Sequence, residues 1–341
     1  MTTTPDGTLS ATVLEIQRMS TEDGPGIRTT VFFKGCTLAC TWCHNPESLD
    51  TRPQIQWVDS RCIGCRLCVE VCPVGALSFD EGVRIDREKC TACGTCVEEC
   101  PSTAMELLGR RWSVDDLVAE VIKDKTYYET SGGGITASGG EATMQAPFVA
   151  EFMRRLREAG VTTALDTCGQ TSWGNLEAIL PHTDILLYDL KLMDDEAHRT
   201  FTSHTGERPR DNLRRVAAYR RTHETPHTLW IRTPIIPGAT DAPANIRAIG
   251  EFIAAELDGV VQRWELCSFN NLCRDKYLRL GMVWDFHEAE LIPKATMESL
   301  AAVAADSGVD PSIVHWSGVT RLEEDAANGE EQTKVRKIDC C

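Results

Sequence analysis

The chain has 341 residues, with 51 Asp and Glu against 35 Lys and Arg, for a net charge of −16. That length allows one large domain with an ample core plus a small one. An acidic balance without any basic run argues against a nucleic-acid partner, because phosphate neutralisation needs a basic face. No stretch approaches the ~18 apolar residues of a membrane span, and the N-terminus lacks the basic start and apolar core of a secretory signal. A cytoplasmic protein with no membrane partner is expected. Sixteen cysteines in tight groups then point to metal clusters in a reducing cytosol rather than to disulfides.

In chain order, residues 1–10 read as a frayed end and residues 11–17 as a short strand. Asp23-Gly24-Pro25-Gly26-Ile27-Arg28 is a Gly/Pro turn that cannot be helix. Residues 29–34, an apolar, β-branched and aromatic run ended by Gly35, fit a buried parallel strand. From its end hangs Cys36-Thr-Leu-Ala-Cys40-Thr-Trp-Cys43. Soft sulfur suits iron–sulfur chemistry, and three thiolates hold three corners of a 4Fe–4S cluster. The missing fourth ligand leaves one iron open to a small molecule, whereas a fully ligated cluster only passes electrons. Structural zinc is the competing reading, but zinc wants four protein ligands and none with zinc-like spacing lies beside the triplet.

Composition shifts at about Val58. Cys62-x2-Cys65-x2-Cys68-x3-Cys72-Pro73 recurs as Cys90-x2-Cys93-x2-Cys96-x3-Cys100-Pro101. The duplication resembles the bacterial ferredoxin run, in which the fourth cysteine of each motif serves the other cluster. Carried over, Cys62, Cys65, Cys68 and Cys100 hold one 4Fe–4S cluster, and Cys72, Cys90, Cys93 and Cys96 hold a second. The segment 58–108 is read as a domain inserted into the larger one, dividing that one into residues 1–57 and 109–317. Of the cysteines outside these motifs, Cys168, Cys267 and Cys273 are expected to be buried free thiols.

After the insert the chain alternates. Residues 114–129 have helical periodicity with Ser113 as N-cap, and residues 146–159 read as an amphipathic helix. Strands are expected at 134–138, 161–167, 184–189, 229–235 and 261–268, with helices at 209–222 and 243–257 among the connections. With residues 29–34 that makes six strands, each followed by a helical stretch. Such alternation argues for an α/β fold with a parallel sheet and right-handed crossovers, open or closed into a barrel. Ligands then collect at the C-terminal strand ends. Residues 318–341, ending in Cys340 and Cys341, read as a flexible tail.

Several motifs fall at those strand ends. Gly139-Gly140-Glu141 offers a close backbone approach, since glycine has no Cβ, and an acidic group beside it. Asp166-Thr167 and Asp189-Leu-Lys191 end two neighbouring strands, and carboxylates with a hydroxyl gather a hard cation. Arg232 carries a fork that matches a carboxylate.

The cysteine triplet resembles that of the radical S-adenosylmethionine (SAM) superfamily. With Asp23–Arg28 before it, Cys43-His44-Asn45-Pro46 closing it and Ser138-Gly-Gly-Glu141 downstream, the chain resembles the glycyl-radical-enzyme activating enzymes, of which pyruvate formate-lyase activase is one. The resemblance implies a partial (β/α)6 barrel open on one side. It implies that SAM chelates the open iron of the Cys36/Cys40/Cys43 cluster, with its amino group at Gly139, Gly140 and Glu141. Trp42 and His44 would flank the adenine, with Asp166, Lys191 and Arg232 near the rest of the ligand. Where relatives carry histidine after the sixth strand, this chain has Asn270. Asp166, Thr167, Asp189 and the carbonyl of Leu187 match positions that hold a monovalent cation, Na+ or K+. Electron transfer into SAM would yield methionine and a 5′-deoxyadenosyl radical, which takes a hydrogen from a glycine of a partner glycyl radical enzyme. Residues 23–28 are the expected docking surface, and a flavodoxin or ferredoxin the electron donor. A radical SAM enzyme acting on a small molecule is the alternative. A pure electron-transfer module would leave the open triplet and residues 139–141 without a role.

Overall fold

The computed structural model describes residues 9–321. Of the frayed end expected over residues 1–10, residues 1–8 lie outside the described residues, as do residues 322–341 of the tail expected over 318–341, the Cys340/Cys341 pair among them; Ser10 already belongs to a strand. β1 (Ser10–Ser20) reverses through the Gly/Pro turn into β2 (Arg28–Phe33). The cysteine-rich segment follows as β3 (Gln54–Trp57), α1 (Leu67–Glu70), β4 (Leu77–Phe79), β5 (Val83–Ile85), α2 (Thr95–Glu98) and β6 (Met105–Leu108). β7 (Arg110–Ser113), α3 (Val114–Val121) and α4 (Lys125–Ser131) lead into β8 (Gly134–Gly139), α5 (Ala146–Glu158), β9 (Thr162–Thr167), α6 (Trp173–Ile179) and β10 (Ile185–Asp189). α7 (Asp195–Thr202), α8 (Glu207–Arg220), β11 (Thr228–Ile235), α9 (Pro243–Glu256), β12 (Arg263–Ser268), α10 (Arg274–Leu280), α11 (Lys294–Ala305) and β13 (Val314–Ser317) complete the chain.

Nine strands form one sheet in the order β13-β12-β11-β10-β9-β8-β2-β1-β7. From β2 to β13 every pairing is parallel, while β1 is antiparallel to both β2 and β7. All six strands expected from the alternation are present. The structure adds β13 at one edge and β7 at the other, where β7 pairs with β1, the short strand expected over residues 11–17. β13 leaves little signal because none of its four residues is fully buried. The helix expected over 114–129 is interrupted by a 3-10 turn at Ile122–Asp124, and Ser113 caps its start, accepting the amide of Asp116 at 3.1 Å.

The sheet is buried on both faces, as parallel strands require. Val31, Ile135, Leu165, Leu186 and Ile231 join the main core with the helices. The alternate residues Ala164, Ile185, Leu187 and Trp230 form a small inner cluster. Curvature follows from one contact. Arg232 of β11 donates to the carbonyl of Glu22, just beyond β1, at 3.4 Å. In a flat sheet five strand spacings, about 24 Å, would separate β11 from β1, so the strands curl into an open barrel.

The insert is framed by β3 and β6, paired antiparallel from Gln54↔Leu108 to Trp57↔Met105. Its frame therefore starts before the composition shift at Val58, in a strand that carries no cysteine. At the other end, Val319 accepts the Ser268 hydroxyl at 2.9 Å and Arg321 bridges to Pro293. The chain stays attached as far as Arg321, past the point where a tail was expected.

Candidate active site

The cysteine loop is stitched to three elements. Gly35 N donates to Ser48 O at 2.7 Å, closing the loop on itself. Ala39 N and Thr41 N donate to Thr202 O and Phe201 O at 3.1 and 2.9 Å, using carbonyls that the last turn of α7 leaves without helical partners. Across the loop, Gly140 N donates to Phe33 O at 3.0 Å and Glu141 N to Gly35 O at 2.7 Å. Gly139 has φ +122, and a Cβ on Gly140 would stand 2.3 Å from Gly35 O. Only glycine fits there.

Cys36, Cys40 and Cys43 face a cavity of about 710 Å³, within the range of small-ligand sites. Trp42 and His44 line it beside them, and Gly139, Gly140, Asp166, Thr167, Asp189, Lys191, Arg232 and Asn270 line it from the strand ends. Two predicted residues do not. The Glu141 carboxylate turns inward and accepts from Thr143 N and Oγ1, Thr167 Oγ1, and Cys168 N and Sγ, at 2.7 to 3.2 Å. The Leu187 side chain sits in the inner cluster below the cavity.

Of the Asp23–Arg28 turn, Asp23 alone reaches the cavity. Arg28 is fully buried, donating to Thr136 Oγ1 and Ile135 O at 2.7 Å each. It cannot face a partner, because its guanidinium satisfies carbonyls inside the barrel. Gly24 is buried too, whereas Pro25, Gly26 and Ile27 keep partial exposure.

Charge in the cavity is paired. Asp166 accepts from Ser138 Oγ at 2.7 Å and lies 3.9 Å from Arg232. Burial, with Asp189 adding to it, holds its carboxyl above the usual range against the pull of Arg232. Burial opposes the Arg232 charge, but Cys267, Asp166, Asp189 and Glu265 together hold it well above its ordinary value. Lys191 lies 2.5 Å from Asp189. Burial works against its ammonium too, and Asp189 with Cys40 more than restores it. Thr167 spends its hydroxyl on Glu141.

Under the loop, sequence reasoning missed an aromatic nest. His44 approaches Phe269 at 6.0 Å and Trp284 at 6.3 Å, and Trp284 stacks on Tyr277 at 5.4 Å. Phe269, Tyr277 and Trp284 lie more than two hundred residues after His44, so no local pattern ties them to the loop. Leu272, at the rim of the cavity, is 83% exposed. Cys168 and Cys273 are buried thiols as expected, and Cys267 is half-buried beside Arg232.

The residues suit iron–sulfur clusters. Among the described residues no group of three His, Cys, Asp or Glu side chains is arranged to hold a metal ion directly, so the fit is read from neighbourhood. Burial pushes the Cys36 thiol up to about 12 and raises Cys40 and Cys43 as well. Such thiols give up their protons when a metal takes them. Thr37 Oγ1, Thr41 Oγ1 and His44 Nε2 are buried in the same loop without hydrogen-bond partners among the described residues. In the insert, Cys62, Cys65, Cys68 and Cys100 line one small pocket. Burial raises Cys96, and its sulfur neighbours are Cys90, Cys93, Cys68 and Cys72, drawn from both cysteine runs. Left-handed residues recur at matching places, Gly64 with Arg66 and Ala92 with Gly94, the kind of backbone that turns N–H groups toward an anionic cluster.

Fold and cavity together define an α/β-barrel protein with a cysteine-rich insert. Residues 61–104 match the family model described as a 4Fe-4S dicluster domain, and residues 22–74 one described as a 4Fe-4S single cluster domain. The chain is 36% identical over 298 residues to the (2S)-3-sulfopropanediol dehydratase activating enzyme of Klebsiella oxytoca, covering 86% of this chain and 92% of that one. It is 37% identical over 316 residues to the isethionate sulfite-lyase activating enzyme of Oleidesulfovibrio alaskensis, covering 91% and 100%. It is 37% identical over 279 residues to the benzylsuccinate synthase activating enzyme of Thauera aromatica, covering 79% and 81%. The chain belongs to the glycyl-radical-enzyme activating enzymes. It is an oxidoreductase that cleaves SAM reductively and installs a glycyl radical on a partner enzyme.

Proposed function

We propose that Cys36, Cys40 and Cys43 hold a 4Fe–4S cluster whose fourth iron is left to SAM. Cys62, Cys65, Cys68 and Cys100, and Cys72, Cys90, Cys93 and Cys96, hold two more, so that the chain carries three. The observation that carries this reading is the single cavity onto which the open thiol triplet and the charged strand ends both face. A cluster held by these three thiolates would supply the electron for reductive cleavage of the SAM sulfonium bond, the chemistry that removes a hydrogen from the partner's glycine.

The protein's part is to orient and to dry. Arg232 meets the SAM carboxylate with its fork, the backbone of Gly139 and Gly140 takes the amino group, and Trp42 and His44 flank the adenine. Lys191 stands by the methionine portion, and Asn270 takes the position held by histidine in relatives. The inward carboxylate of Glu141 fixes the strand ends that carry these contacts. Phe269 and Trp284 keep water from the loop's underside.

A monovalent cation, Na+ or K+, on Asp166, Asp189, the Thr167 hydroxyl and the Leu187 carbonyl belongs to the same reading. It has to compete there with Arg232 and Lys191 for the two carboxylates. The partner presents its glycine loop at the cavity mouth and rests on the half-exposed residues Asp23, Pro25, Gly26 and Ile27. A flavodoxin or ferredoxin donates the electron, in the cytoplasm, where thiols stay reduced. The insert, framed by β3 and β6, forms a small domain of its own.

Spectroscopy of the reduced, anaerobically reconstituted protein tests this. Adding SAM should change the signal of one cluster and leave two unchanged, with release of deoxyadenosine. A spectrum indifferent to SAM would overturn the assignment. A new small-molecule product formed from SAM and reductant alone would favour the alternative substrate class.

A further inference from the structure

α10 lies between the cysteine loop and the insert, and it holds both through polar contacts. On the loop side, the Tyr277 hydroxyl donates to the carbonyl of Cys43 at 2.9 Å. Lys276 Nζ donates to Asn45 Oδ1 at 2.9 Å and pairs with the buried Glu47 at 2.7 Å. Tyr277 also stacks on Trp284, whose edge meets His44. The third cysteine of the triplet, the histidine after it and the return of the loop are thus all referred to one seven-residue helix.

On the insert side Arg87 does the holding. Arg87 Nε donates to Leu280 O at 3.1 Å, Nη2 to Arg279 O at 3.0 Å and Nη1 to Ile55 O at 3.1 Å. The first two are last-turn carbonyls that α10 cannot satisfy itself, and a cation is favoured at that end of a helix. The third belongs to β3, so one guanidinium ties α10 to the frame of the insert. Arg87 stands in the turn that delivers Cys90, where Cys90 N donates to Asp86 O at 2.9 Å. A second tie runs parallel. The buried Lys34 ammonium donates to Glu47 O at 2.5 Å and to Gln54 Oε1 of β3 at 3.2 Å.

We propose that α10 is a strut by which the insert fixes the Cys43 end of the cysteine loop, with Arg87 the positioning residue on the insert side and Tyr277 and Lys276 those on the loop side. The proposal rests on reading Cys36, Cys40 and Cys43 as cluster ligands. It gives the insert a mechanical role at the SAM site. The turn holding Cys90 sets Arg87, Arg87 sets the end of α10, and α10 sets the carbonyl and side chains around Cys43.

The test uses the full, reconstituted chain and the variants Arg87→Ala, Arg87→Lys and Tyr277→Phe. Three quantities are read: iron content, hydrogen exchange of the amides from Cys43 to Leu49, and the SAM-induced spectral change. Arg87→Ala should keep its iron while exchange in that loop accelerates on the order of tenfold, as expected for losing one or two net hydrogen bonds. Arg87→Lys should rescue little, since one ammonium cannot span three carbonyls. Tyr277→Phe keeps the stacked ring and loses only the hydroxyl, so it reports on the strut even if Arg87→Ala folds poorly. Its exchange should rise by a smaller factor, with a diminished SAM-induced change. Unchanged exchange in both Arg87→Ala and Tyr277→Phe would overturn the strut. If wild type itself shows no SAM-induced change, the ligand reading fails instead, and the exchange comparison still decides the coupling.

Discussion

Arg232 of β11 and Asp166 of β9 stand 3.9 Å apart across the barrel interior, although β10 runs between their strands. Burial with Asp189 nearby already holds Asp166 above the ordinary carboxylate range, and Arg232 is what pulls it down. Replacing Arg232 with Met should therefore cost about 3 kcal/mol at neutral pH, the penalty for leaving a buried charge without its partner. The sign with pH is fixed. A carboxyl whose value is raised in the fold favours the folded state at low pH, and that contribution is lost as pH rises through the raised value. Denaturant titrations should find Arg232→Met closer to wild type at pH 5 than at pH 8, and SAM affinity should fall at least about tenfold with loss of the fork. Equal destabilisation at both pH values would show that Asp166 is not held high.

Cys40→Ala should abolish deoxyadenosine formation and remove about a third of the iron, four atoms of twelve for three such clusters. Cys93→Ala should lose or weaken a cluster of the insert while the SAM-responsive signal persists. Iron analysis with spectroscopy of both variants checks this, and loss of all iron in either would contradict separable sites.

Stripping the metal should unfold the insert and spare the barrel. The buried core of the insert is Ile55, Cys68, Leu77, Val83, Cys96 and Met105, too little apolar surface to order so short a segment without metal. After chelation, limited proteolysis should cut within residues 61–104 first, and the far-ultraviolet signal of the main sheet should remain.

Glu141→Gln should destabilise the chain by about 2 to 3 kcal/mol, because an amide nitrogen would then face donors that the carboxylate now accepts. Chemical denaturation measures this. SAM affinity should fall less than in Arg232→Met, since the Glu141 oxygens are already engaged by Thr143, Thr167 and Cys168. A greater loss of SAM affinity with unchanged stability would make Glu141 a direct ligand contact.

Much of this molecule is legible from its sequence. The run 29–34 is apolar on both faces because β2 is buried on both, and the doubled cysteine spacing identifies the insert. Patterns read along a strand do not say which side chains meet across it. The inner face of this barrel carries Arg28, Asp166, Asp189 and Arg232, polar residues that ordinary alternation would turn toward water. The glycine-rich turn 23–28 beside the cluster strand points as a block to a docking surface, yet its Arg28 is found sealed among carbonyls. Glu141 follows two glycines at a strand end and was expected to face a ligand. It turns inward because Thr167 at the end of the next strand and Cys168 just beyond it offer it donors. Tyr277, Trp284 and Lys276 escaped notice because their partners lie in a loop more than two hundred residues earlier in the chain.

The close fit of Gly140 against Gly35 bears on enlarging the cavity by design. With two backbone hydrogen bonds and no space for even a methyl group, neither the β8 corner nor the root of the cysteine loop can retreat alone. An engineer seeking to admit a bulkier sulfonium analogue would find no slack on that wall, and would have to carve the opposite rim around Leu272, where solvent already has access.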